Sequence, residues 1–336
     1  MTMAAINTRQ SNFELLRLVA ILMVLFHHAT YVALGEVDQS TVQTLPWAAF
    51  YRVFSNQLCL VCVNAFVMIS GWFGIRATLK GACSLLFQVV FLSALVTIVM
   101  GISGHDIKKA DTLYALLFGS NYWFFVAYMV LYVLSPIINP FTESATKRTY
   151  TNVLIAFFTL ETILGFFLGS EFNKGYSALS FIGIYLLGGY LRRYPNPFTT
   201  LSAGKDLFIY LALSLVSAAG FYFGKKFWDI GFHLIHYNSP LLILASVYFF
   251  LAFSKIQIKS KAINWAAASA FAIYLIQEHP LVKPFYLYFM FTLAETHSGL
   301  LYFGAVWGVI LIIGFFCILV DQLRIACWKV LIKKCP

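Results

Sequence analysis

Charge is scarce in this chain. Asp, Glu, Lys and Arg together make 11% of its 336 residues, against about 25% in a soluble domain, and that deficit excludes a water-soluble globule. The short alternating segments of a membrane β-barrel are also missing; long continuous apolar runs stand in their place. Cysteine is sparse, with six in all. Cys59 and Cys62 form a C-x-x-C, but it lies inside an apolar stretch with no second pair, so it specifies neither a zinc site nor a disulfide framework. The cysteines read as small apolar packing residues, and no metal is expected. The chain also lacks a low-complexity linker, a convincing internal repeat, and a small-x-small cleavage site after its first apolar run. One membrane domain over residues 1–336, with a retained first helix, is the expectation.

What is abundant is apolar and aromatic: 61% hydrophobic residues, with 34 Phe. In lipid every backbone polar group must bond within its own segment, so the fold class is all-α and polytopic. Runs long enough to cross about 30 Å of hydrocarbon fall at 13–34, 55–74, 82–101, 121–139, 150–169, 176–191, 206–224, 238–254, 262–280 and 300–328, about ten helices. The runs at 176–191 and 238–254 are short, and 281–298 is aromatic and reads as interfacial or re-entrant. With the N-terminus inside, sixteen of the 23 Lys and Arg residues fall on the inner side and seven on the outer. Such a bias is required by the positive-inside rule, so both termini are expected in the cytoplasm. The net charge of +10 then reflects topology and attraction to anionic membrane lipids, and needs no nucleic-acid partner.

Against this background the first apolar run, Asn12 to Tyr31, is unusual. It carries Glu14 and Arg17 near one end and His27-His28 near the other. Ionisable groups in a membrane helix are costly and mark function by default. Eleven residues separate Arg17 from His28, which returns to within about 20° of the same helix face and places them roughly 16 Å apart along it. Glu14 can pair with Arg17 on that stripe, whereas His27 points about 80° away. The competing reading is an arginine that snorkels to the headgroups and an interfacial histidine.

Later polar residues leave similar alternatives open. Asn64 in the second helix is either polar glue or a cavity-lining group, and Gly71 permits close helix approach. Arg76 and Lys80, four residues apart, share a face if helical and can hold a phosphate, or simply set topology. The 121–139 run is rich in aromatics; Trp123, Tyr128 and Tyr132 belong to an interfacial belt or line a cavity. Asp229, His233 and His236 read as a surface loop. Glu278 and His279 end a helix just before Pro280 and offer a carboxylate and an imidazole to a polar acceptor.

Four blocks together resemble the acyltransferase-3 family of integral membrane O-acyltransferases: Arg17 with His27-His28; Cys62-Val-Asn-Ala-Phe-Val-Met-Ile-Ser-Gly-Trp-Phe73 with Arg76 and Lys80; Trp123 to Asn139, containing Ser135-Pro136; and Tyr274-Leu-Ile-Gln-Glu-His-Pro-Leu-Val282. Gln277 stands where the last segment usually has His. The resemblance implies an acyl-CoA donor, acetyl-CoA above all, held through its phosphates by Arg17, Arg76 and Lys80, with His28 as the catalytic imidazole. It implies a carbohydrate hydroxyl as acceptor, on O-antigen, capsule or exopolysaccharide and in some cases lipid-linked. Asn64, Trp123, Tyr128, Glu278 and His279 are the candidates to contact that acceptor, and a bacterial inner membrane is the implied setting. A transporter or flippase for a lipid-linked sugar would also use buried charge and aromatic lining, and Gln277 keeps open an inactive member or sensor.

Overall fold

The computed structural model describes residues 9–107, 122–170, 172–195, 197–229 and 232–334; Lys108, Lys109 and Cys335 lie outside them. Every regular element among the described residues is helical. In chain order they are α1 (Ser11–His27, widening into a π-helix at His28–Val32), α2 (Gln39–Thr44), α3 (Pro46–Phe73), α4 (Leu79–Ile102) and α5 (Trp123–Ser144). There follow α6 (Lys147–Leu160, π-helical from Glu161 to Phe167), α7 (Ala178–Arg193), α8 (Ala203–Trp228), α9 (Pro240–Ser254), α10 (Lys261–Ala267), α11 (Ala270–Gln277), α12 (Lys283–Thr296) and α13 (Gly299–Lys334).

Among the described residues eight helices are long and apolar enough to span a membrane. The other two runs of the ten read from sequence are built differently. The 176–191 run is α7, sixteen residues long, about 24 Å of helix. The 262–280 run is broken at Ala268-Ser269 into α10 and α11. The 281–298 stretch holds α12, fourteen residues, too short to cross about 30 Å of hydrocarbon alone.

The most buried span is α3, and it forms the axis against which α1, α7, α8 and α9 pack. Close approach explains why. A Cβ at Gly71 would lie 2.0 Å from the Tyr185 carbonyl oxygen, and one at Gly188 would lie 2.4 Å from that of Met68. Two helix backbones therefore touch through facing glycines, the small-residue packing that replaces the hydrophobic drive in lipid. Gly71→Ala is expected to lower the detergent-solubilised thermal midpoint, with an overpacking cost of about 1–3 kcal/mol, whereas Gly204→Ala, which meets open space, leaves it unchanged.

Side-chain bonds replace what proline removes. Pro136 lies inside α5 and leaves the Tyr132 carbonyl without its helical donor; the Ser135 hydroxyl donates to it at 2.8 Å. Tyr132 does not join Tyr128 in lining a cavity. Its hydroxyl accepts from the Thr78 N–H and donates to the Thr78 carbonyl, and Asn139 holds the Ile75 carbonyl at 2.8 Å, so α5 pins the α3–α4 turn.

The two ends of the bundle differ. At one end Phe13 packs on Trp72 and Phe73, Arg192 donates to the Trp72 carbonyl, Arg9 to the Asn264 carbonyl, and Lys255 pairs with the buried Asp206. At the other, Arg52 donates to the Leu34 and Gly35 carbonyls, and Tyr31 packs beside Phe221 and Tyr222. Arg9, Arg17, Arg76, Arg192 and Lys255 thus share one end, as the charge bias anticipated.

Candidate active site

The stripe read on α1 exists and faces a cavity of about 550 Å³. Glu14, Arg17, Ile21, Val24 and His28 all line it, at the three- and four-residue spacing of one helix face. Glu14 and Arg17 pair at 2.6 Å. Opposite walls come from α3 (Cys62, Phe66, Ser70), α5 (Trp123, Phe124, Tyr128) and α11 (Phe271, Tyr274), with Glu278 and Lys283 closing the far end. The cavity therefore runs from the arginine-rich end to the imidazoles.

His27 also lines it, contrary to its 80° offset on an ideal helix. The π-helix begins only after His27, so the offset stands; the cavity is wide enough to take in both neighbours, whose ring centroids lie 5.3 Å apart. Each is tied through Nδ1 to an amide oxygen: His28 to Gln277 Oε1 at 2.8 Å and His27 to Asn56 Oδ1 at 2.6 Å. An amide oxygen can only accept, so Nδ1 carries the proton in both rings and Nε2 is left with its lone pair. Behind His28, Glu278 Oε1 lies 3.3 Å from Nδ1, and Glu278 Oε2 is salt-bridged to Lys283 at 2.9 Å. Glu278 is buried and does not face the cavity as a free carboxylate.

Trp123 and Tyr128 line the cavity. The Tyr128 hydroxyl bonds Ser70 at 3.3 Å. Trp123 stands in an aromatic group with Tyr176 and Tyr237, ring centroids 4.5 and 5.9 Å away. The other candidates lie elsewhere. Asn64 is buried and donates to the Tyr237 carbonyl and Ser246, which is the polar-glue reading. His279 is buried, and its Nδ1 accepts from the Leu281 N–H. Arg76 and Lys80 do not share a helix face, because Gly74 ends α3 and Arg76 sits in the turn before α4; both are exposed at the Arg17 end.

Sequence reasoning missed Gln277 as a partner, seeing there only a replaced histidine, and it missed Lys283, Tyr176 and Tyr237. Asn56 carried a legible signal, a polar side chain in an apolar helix. The two tyrosines carried none, since their meeting with Trp123 joins three distant segments.

The family model described as an acyltransferase domain, acyltransferase-3 type, matches residues 10–320. No curated protein and no solved structure matches the chain. The match includes α1 with its arginine–histidine stripe and all of the segments that wall the cavity. The chain belongs to the acyltransferase-3 family and is a multi-pass membrane protein of acyltransferase type.

Proposed function

We propose that the protein is an O-acetyltransferase that moves the acetyl group of acetyl-CoA to a hydroxyl of a surface carbohydrate. The observation that carries the reading is one continuous cavity with Arg17 at one end and the imidazoles of His27 and His28, each tied through Nδ1, toward the other. A phosphorylated donor requires cations. Arg17 spends one N–H on Glu14 and has others to offer from its five donors, and Arg76 and Lys80 add positive charge at the same end. His28 Nε2 takes the proton as the acceptor hydroxyl oxygen attacks the thioester carbonyl carbon. The carbon–sulfur bond then breaks, and the imidazolium returns the proton to the departing thiolate. Gln277 and the Glu278 carboxylate stabilise the transient imidazolium from its Nδ1 side. Products are the acetyl ester and free coenzyme A.

The charge distribution supports a cytoplasmic donor end with both termini inside, the acceptor arriving from the opposite side of a bacterial cytoplasmic membrane. Trp123, Tyr176 and Tyr237 offer ring faces to a sugar near that side. Incubating the purified protein with acetyl-CoA and the surface glycan is expected to release free thiol in step with acetyl ester formation. A transporter would leave the thioester intact, so ester content independent of this protein together with intact acetyl-CoA would sink the reading.

A further inference from the structure

A second concavity, of about 610 Å³, lies at the His28 end on the outside of the bundle. Its walls are apolar, from Phe166 and Phe167 of the α6 π-helix and Ala219, Gly220, Phe223 and Trp228 of α8. Gly220 and Gly224 also line it, and Leu234 packs close over Gly220, 3.0 Å from where a Cβ would stand. The mechanism uses none of it.

The groove is not an isolated lipid-facing furrow, because one short segment separates it from the active cavity. His233 and Leu234 line the groove, and Tyr237 lines the cavity. Positive and imidazole groups gather on that segment. His233 is held through Nδ1 by the Phe166 carbonyl, and its ring lies 5.4 Å from that of His236, whose Nδ1 has no partner. The Lys174 carbonyl accepts from the Tyr237 N–H at 3.0 Å, bringing an exposed lysine to the same place. That lysine sits in a left-handed run, with Asn173 at φ 45° and Lys174 at φ 57°, a conformation costly for side-chain-bearing residues that persists where the surroundings impose it. One of the acids nearby, Asp229, is already paired with Lys225 at 3.0 Å.

Apolar walls, then Lys174, His233 and His236, then the rings of Tyr237, Tyr176 and Trp123 follow one another in space. Resting on the function proposed above, we infer that this groove binds the phosphorylated lipid end of a lipid-linked acceptor. The hydrocarbon chain lies against Phe166, Phe223 and Ala219, the phosphate meets Lys174, His233 and His236, and the sugar enters the cavity over Tyr237.

Binding of a long-chain prenyl monophosphate to the purified full chain, followed by native mass spectrometry, tests this independently of catalysis. The wild type is expected to bind it at least tenfold more tightly than the matching prenyl alcohol. Ala219→Phe, which fills the groove, and the charge variant Lys174→Glu/His236→Glu are each expected to weaken binding tenfold or more. Both should keep wild-type thiol release from acetyl-CoA with a water-soluble, lipid-free sugar acceptor. Unchanged binding in the charge variant overturns the inference, as does equal displacement by phosphatidylglycerol, which would make the groove a seat for ordinary bilayer lipid. Loss of thiol release from the wild type itself, with binding intact, would strike the acetyltransferase reading and leave the groove standing.

Discussion

His28→Ala is expected to reduce acetyl transfer by about 10²- to 10⁴-fold, the usual range for a lost general base, at unchanged protein level in the membrane. The side chain is small and polar within a cavity wall, so its removal opens space without uncovering a packed core. His27→Ala is the informative control, since both rings line the same cavity. They differ in what stands behind them. His28 has Gln277 at 2.8 Å and the Glu278 carboxylate at 3.3 Å, while His27 has the neutral Asn56 amide. Among the described residues the Glu278 carboxylate makes its direct contact with His28 and not with His27, which favours His28 as the ring that carries the transient proton. Acetyl ester content of the surface glycan in a deletion strain, complemented with each variant, reads this directly. Full activity of His28→Ala, or loss with His27→Ala alone, would move the catalytic role to the neighbouring ring.

Gln277 is a positioning residue in this scheme, and its removal is a smaller event. Gln277→Leu deletes one hydrogen bond, about 0.5–1.5 kcal/mol, so turnover should fall up to about tenfold with little change in KM. Gln277→His can still accept from Nδ1–H and should restore turnover, which a purely steric role for the glutamine would not produce.

The α1 stripe was legible because helical periodicity is a local property, and scarcity of charge makes each ionisable residue conspicuous. Glu14, Arg17 and His28 fell on one face in sequence and do so in the fold. His27 was misplaced because an angle on one helix does not tell how wide a cavity is, and this one takes in a residue about 80° from the stripe. The Gln277 and Asn56 partnerships join residues 249 and 29 positions away from their histidines, and no spacing rule carries such information. Arg76 and Lys80 failed as a helical pair for a local reason that was visible: Gly74 stands two residues before Arg76, and a glycine at positive φ is a common helix stop. Asn64 and His279 illustrate the opposite limit, since a polar residue in an apolar run has two fates, satisfied inside the bundle or presented to a ligand, and only the tertiary partners decide.

Arg17→Gln separates the donor-binding role from the structural one. Losing a hydrogen bond to a charged phosphate removes about 1.5–3 kcal/mol, so KM for acetyl-CoA should rise roughly 10- to 100-fold while kcat changes little. Arg17 is also the partner of the buried Glu14, and a loss of activity could follow merely from stranding that carboxylate. Glu14→Gln distinguishes the two. It breaks the same ion pair yet keeps the cation, so a donor-binding Arg17 predicts an unchanged or lower KM, and a structural Arg17 predicts the same damage as Arg17→Gln. A second comparison uses a donor shortened to acetyl-pantetheine, which lacks the nucleotide phosphates. If Arg17 holds phosphate, the Arg17→Gln variant and the wild type should use this poorer donor equally well. A KM penalty of equal size for both donors would place the role of Arg17 in the architecture of α1.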